Sequence, residues 1–169
     1  MNYFELFEIP VQLKVEKNAL SGKFFELNRK YHPDYFVKDN PEAQSEALEK
    51  SALLNKAFKT FQNPDETIKY VLQLKGLLEE EEKYELPVDF LKEVLEINEK
   101  LMDDDKSETT SNLKSRIEKL QTDIYEPVKE IVEHYQEGFT SEKELLQEKE
   151  YYYKKKYLQR IQQQLTGMM

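Results

Sequence analysis

The sequence predicts an all-α protein, and three observations carry that prediction. Apolar residues recur at helical spacing along nearly the whole chain. Helix-start and helix-stop residues, among them Asn40-Pro41, Asn63-Pro64, Gly76, Pro87 and Gly138, stand at the ends of those periodic stretches. Charged residues reach 35% and hydrophobic residues only 38%, a balance that suits thin helical layers rather than a large buried sheet sandwich. The 169 residues are enough for one domain or two small ones.

The elements follow in order. Tyr3 to Phe7 is a short apolar turn closed by Pro10. From about Glu16 to Tyr31, Leu20, Phe24, Leu27 and Tyr31 recur at steps of four, three and four, forming one stripe. Pro33 stops this helix, because the residue before a proline is pushed out of the α region. Asn40 then caps a second long helix with Pro41 at its first position. It carries Ala47, Leu54, Phe58 and Phe61 and ends at Asn63-Pro64. These two helices make an antiparallel hairpin across His32 to Pro41. A shorter helix from Asp65 to Lys75, bearing Ile68, Val71 and Leu72, is closed by Gly76. Together the hairpin and its two short flanking helices make an N-terminal unit over 1–76.

A linker over 77–86, with the run Glu79-Glu80-Glu81-Glu82, leads to a second unit over 87–169 that reads as an antiparallel three-helix bundle. Its first helix opens at Pro87 and turns Phe90, Val94, Ile97 and Leu101 inward, before the charged connection Asp103-Asp104-Asp105. The second carries Leu113, Ile117, Leu120, Ile124, Val128 and Ile131, with Pro127 expected to kink it near Asp123 and Gly138 to end it. Thr140 or Ser141 caps the third, which places Leu158, Ile161 and Leu165 inside.

Charge separates the two units. Residues 1–76 hold 11 basic and 11 acidic residues, whereas 77–169 hold 14 basic and 23 acidic, which accounts for the whole net charge of −9. The acidic unit should repel nucleic acid and anionic membrane, so neither is expected as a partner. The run Tyr151-Tyr152-Tyr153-Lys154-Lys155-Lys156 offers stacking and charge of the kind that holds single strands. Its acidic surroundings favour a packed, solvated helix instead. No apolar run is long enough to span a membrane, and the first residues lack the basic region of a secretion signal, so a cytoplasmic protein is expected.

Inventory argues against catalysis. Cysteine is absent and the two histidines, His32 and His134, stand 102 positions apart. Cysteine-based metal sites, iron-sulfur ligation by this chain, disulfides and a thiol nucleophile are excluded, and no cofactor is expected. Four glycines form no phosphate-cradling loop. The most informative residues are Tyr31-His32-Pro33-Asp34, at the tip of the hairpin and directly after a helix bearing Lys23, Arg29 and Lys30. Alone, the tripeptide is a helix stop and a turn. At a hairpin tip it is suited to binding: Asp34 is an acceptor for a partner arginine, Pro33 reduces the freedom lost on contact, and the basic face steers toward an acidic partner.

In that context, Leu20 to Asp34 with Leu53-Leu54-Asn55-Lys56-Ala57-Phe58 resembles a J domain of the DnaJ class. Asn2-Tyr3-Phe4-Glu5-Leu6-Phe7 and the stretch from Asn63-Pro64 to Tyr70-Val71-Leu72 narrow the resemblance to the HscB family, J-type co-chaperones of iron-sulfur cluster assembly. It covers essentially the whole chain and lacks the cysteine-bearing extension of eukaryotic members, which suggests a bacterial form. The resemblance implies that His32, Pro33 and Asp34 stimulate ATP hydrolysis by a DnaK/HscA-type chaperone. It further implies that Lys23, Arg29, Lys30 and Tyr31 contact that chaperone. Glu26, Thr67 and Lys92 depart from the family pattern.

Periodicity independently marks a second surface. With Phe90, Val94, Ile97 and Leu101 inward, Leu91 and Leu95 fall about 100° around the helix. Glu96 and Glu99 lie alongside, and Tyr157 stands one step from the inward Leu158. A broad core stripe would bury both sets; a patch rimmed by acid would be an interaction surface. By resemblance, Leu91, Lys92, Leu95, Glu96, Glu99 and Tyr157 hold an IscU-like iron-sulfur scaffold protein. The competing expectations are a general J-domain folding co-chaperone with other clients, and a structural adaptor whose tripeptide is only a turn.

Overall fold

The computed structural model describes residues 1–36, 40–102 and 110–167, and these form an all-helical structure. The helices are α1 (Tyr3–Leu6), α2 (Lys17–Tyr31), α3 (Pro41–Gln62), α4 (Pro64–Leu74), α5 (Val88–Met102), α6 (Thr110–Tyr125), α7 (Lys129–Glu133) and α8 (Glu142–Gly167). Single turns of 3-10 helix occupy Pro33–Phe36 and Glu126–Val128. The expected connection Asp103-Asp104-Asp105 lies outside the described residues.

Side-chain caps open α2, α3, α4 and α8. Glu16 accepts the N–H groups of Asn18 and Ala19 at the head of α2, and Asn40 accepts that of Ala43 at the head of α3. Asn63 follows α3 and caps α4 by accepting from Asp65 and Glu66. Ser141 and Glu144 form a reciprocal capping box before α8. Gly76 and Gly138 sit at φ +70° and +84°, the left-handed conformation glycine adopts without a Cβ clash.

α2 packs along α3 as the hairpin, with α1 and α4 against α3. Tyr3 stacks on Tyr70 at 4.4 Å and donates its backbone N–H to the Tyr70 hydroxyl at 2.8 Å, fixing α1 to α4. Thr67 is fully buried at the α3–α4 turn. Its hydroxyl lies 3.0 Å from the Thr60 carbonyl and 2.9 Å from that of Asn63, which tightens the corner. In the C-terminal half, α6 packs on α8 and α5 bridges both. Phe90, Val94, Ile97, Leu101, Leu113, Ile117, Leu120 and Ile124 are all buried, as the periodicity predicts.

The second bundle helix differs from expectation. Instead of a kink near Asp123, α6 runs unbroken to Tyr125, a 3-10 turn contains Pro127, and α7 ends at Glu133. Pro127 has no N–H for the Asp123 carbonyl, and the tighter turn accommodates that loss. Residues in a 3-10 turn advance about 120° rather than 100° each. The stripe is therefore displaced, so that Val132 is buried where Ile131 was expected. Gly138 lies in the loop beyond α7 and does not end a helix.

The two halves share one continuous apolar core. α4 packs directly on α8, the Gln159 side-chain amide donates to Asp65 at 3.0 Å, and Lys75 pairs with Glu137. Segment 77–86 is a packed strap. Leu78 is buried, Leu77 and Leu86 pack against the core, and Glu82 pairs with Lys149 at 2.7 Å.

Candidate functional site

Two surfaces stand out, the hairpin tip and a groove beside α8. At the tip, α2 ends because His32 takes extended backbone angles, φ −64° and ψ 130°, ahead of Pro33. The Tyr35 N–H donates to the His32 carbonyl at 3.1 Å and so closes the 3-10 turn. The Asp34 N–H donates to His32 Nδ1 at 3.2 Å. Accepting there leaves the proton of a neutral imidazole on Nε2. Asp34 Oδ2 is 3.5 Å from the same Nδ1, an ion pair only when the ring is protonated. The Asp34 side chain is 84% exposed, so its carboxylate is open to an incoming donor.

The basic residues behind the tip are not equivalent. Lys23 is engaged within the chain, 3.3 Å from Glu8 and 3.7 Å from Glu26. Arg29 and Lys30 are exposed. Tyr31 is half-buried, with the ammonium groups of Lys50 and Lys30 4.7 Å and 5.3 Å from its ring centroid. Sequence reasoning missed Phe25, which is exposed on α2 one turn before Arg29. Its signal was its place off the Leu20–Phe24–Leu27–Tyr31 stripe.

A groove of about 620 Å³ runs between α5, α8 and the strap. Leu91 and Tyr157 both line it, so the structure unites two residues 66 positions apart that periodicity had singled out separately. Tyr84 and Leu86 line it from the strap and were not anticipated. Strap residues carry no helical period, and only folding brings them to α8. Tyr84 stacks on Tyr153 at 4.6 Å, and the Tyr153 hydroxyl donates to Glu82 at 3.2 Å. Burial and that bond to Glu82 push the Tyr153 hydroxyl up to about 12, while Lys149 holds the Glu82 carboxyl below its ordinary value.

The remaining expected residues do not line the groove. Leu95 is half exposed, one turn along α5 from Leu91. Lys92 and Glu99 are exposed. Glu96 is exposed too and lies 3.6 Å from Lys100 and 3.7 Å from Arg116. The rim expected to be acidic is basic on its α8 side, where Lys156 and Arg160 line the groove. Tyr151 and Tyr152 are buried, so the tyrosine–lysine run is a packed helix. Among the described residues, no three His, Asp or Glu side chains are grouped to hold a metal ion, and no helix is long and apolar enough to cross a membrane.

An all-helical scaffold with an open Asp34 carboxylate at a hairpin tip and a separate apolar groove is suited to binding partners at two places. Residues 86–166 match the family described as the HSCB C-terminal oligomerisation domain. Chaperone HscB from Vibrio cholerae is similar in structure with a TM-score of 0.73 at 23% identity, over 99% of this chain and 97% of that one. Human co-chaperone protein HscB is similar with a TM-score of 0.79 at 26% identity, over 98% of this chain and 81% of that one. Residues 86–166 thus carry the C-terminal domain of the HscB family, and the chain as a whole has the fold of HscB co-chaperones.

Proposed function

We propose that this chain is a two-handed adaptor that delivers an IscU-like iron-sulfur scaffold protein to a DnaK/HscA-type chaperone and stimulates that chaperone's ATPase. The observation that carries the reading is the presence, on one continuously packed chain, of an open Asp34 carboxylate at a hairpin tip and an apolar groove elsewhere. Residues 1–76 act as the J domain, with His32, Pro33 and Asp34 engaging the ATPase and Arg29, Lys30 and Tyr31 extending the contact. Lys23 holds α2 to Glu8 while offering its remaining donor capacity. Residues 87–169 hold the client through Leu91, Leu95 and Tyr157, with Lys92, Glu96 and Glu99 on the exposed side of α5. The strap 77–86 joins the two.

In this mechanism the chain performs no bond chemistry. The groove binds the scaffold, the tip presents His32-Pro33-Asp34, and hydrolysis by the chaperone locks it on the client, favouring transfer of the client's cluster. Because α4 packs on α8 and the strap is bound, the tip and groove are held in a set relation. This adds orientation to the raised effective concentration that any connection supplies. The likeness to HscB chaperones supports a cytoplasmic setting.

Steady-state ATP hydrolysis by the organism's own DnaK-type chaperones, with and without its scaffold protein, tests the reading. Asp34→Asn should abolish stimulation. Leu91→Ala/Leu95→Ala should remove only the extra stimulation that scaffold gives, since each leucine contributes about 1.5–3 kcal/mol when fully buried. Wild-type stimulation indifferent to scaffold would make this a general folding co-chaperone; no stimulation of any chaperone would leave a structural adaptor.

A further inference from the structure

The groove has a charge pattern that the chain as a whole does not. On α8, Tyr153, Lys156, Tyr157 and Arg160 are spaced three, one and three residues apart, which puts them on one face. All four line the groove. Two neighbouring cations of α8 are engaged: Lys149 lies 2.7 Å from Glu82 and Lys154 lies 3.7 Å from Glu150. Among the described residues Lys156 and Arg160 form no ion pair, and both are exposed. Of the two carboxylates that line the groove, Glu82 is bound to Lys149 and to the Tyr153 hydroxyl, leaving Glu85. Lys83 adds a third cation from the strap. A locally basic edge therefore borders an apolar cleft on a protein whose net charge is −9.

We infer that the groove takes a client segment in which a large apolar side chain is flanked by carboxylates. The apolar group enters between Leu86, Leu91 and Tyr157, and Lys156 and Arg160 grip the acid. This deepens the client reading above and rests on it. The physical case is complementarity. An apolar cleft alone accepts many side chains, whereas two cations without partners add attraction for acid and reject a basic segment. A guanidinium suits this task because its planar donors meet a carboxylate in two-pronged fashion. On α5 the groove is lined by Leu91, and Lys92, Glu96 and Glu99 lie outside it, with Glu96 shared between Lys100 and Arg116. Glu82 is the positioning residue, because its bonds to Lys149 and Tyr153 hold the strap in place.

The test is direct binding of the organism's IscU-like scaffold protein to the full chain, by calorimetry, at about 50 mM and about 300 mM salt, where screening differs severalfold. Lys156→Glu/Arg160→Glu should weaken binding about tenfold at low salt, and the deficit should shrink at high salt. Lys156→Arg, which keeps the charge, should retain wild-type binding, and Leu91→Ala/Leu95→Ala should weaken it equally at both salts. Circular dichroism would confirm that each variant is folded. If charge reversal leaves affinity unchanged or raises it while the leucine variant weakens, the client reading stands and the acidic-segment inference is overturned. Absence of scaffold binding by wild type would sink both. So would sedimentation showing a stable dimer that the charge reversal dissociates, because the groove would then be covered by a second copy.

Discussion

Tyr84 lies flat on Tyr153, with ring centroids 4.6 Å apart and planes within 5°. This stack fastens the strap to α8 and builds one wall of the groove. The same tyrosine of α8 donates its hydroxyl to Glu82, which in turn binds Lys149. A segment that composition marks as a charged connector is thus a structural part of the candidate client site.

Replacing Glu82 by Gln should loosen that wall without unfolding the protein. A partly exposed ion pair contributes about 0–1 kcal/mol, so global stability should change little. Hydrogen exchange of the amides over 79–86 should rise severalfold, as local opening becomes easier. Unchanged protection there would show that the tyrosine stack alone holds the strap.

Glu148 is fully buried on α8, and both its carboxylate oxygens lack a hydrogen-bond partner. Burial pushes its carboxyl up to about 8. Its unfolded value is near 4.3, so between these values the native state binds more protons than the unfolded state. Stability from this group is therefore present at acid pH and is lost as pH rises toward 8. Urea unfolding at pH 5 and pH 8 should show wild type losing on the order of 3 kcal/mol relative to Glu148→Gln. Parallel stabilities of the two proteins across that range would contradict the burial argument.

Asn63 serves two helices, ending α3 and accepting the N–H groups of Asp65 and Glu66 to begin α4. Asn63→Ala should cost about 1 kcal/mol. In a protein of this size that corresponds to a Tm lower by about 2–4 °C. A calorimetric scan checks it, and an unchanged Tm would mean that Thr67 and the core hold the corner without the cap.

Asp34→Asn should leave stability unchanged, because the Asp34 side chain is 84% exposed and exposed surface substitutions away from special features stay within about 0.5 kcal/mol. Chaperone stimulation should fall to the unstimulated level. Thermal melts beside ATPase assays separate the two effects; a loss of stability comparable to the loss of stimulation would assign Asp34 a structural role.

The sequence by itself determined most of the helices, the caps at Asn40 and Ser141 and most of the buried stripes, because α-helical period and proline, asparagine and glycine signals act over only a few residues. It also marked the His32-Pro33-Asp34 tip, which is contiguous in the chain, and it separated Leu91 and Tyr157 from the core positions beside them. Tertiary structure decided the rest. The 3-10 turn at Pro127 displaced the buried stripe from Ile131 to Val132, a phase change that fixed-period reading cannot register. The groove combines Leu91, Tyr157 and the strap residues Tyr84 and Leu86, which come together only when α5, α8 and 77–86 pack. The isolation of Glu148 and the division of lysines into paired and free likewise depend on which side chains are brought within a few ångströms. Local propensity places each residue on a face of its own element; packing of one element against another decides what that face meets.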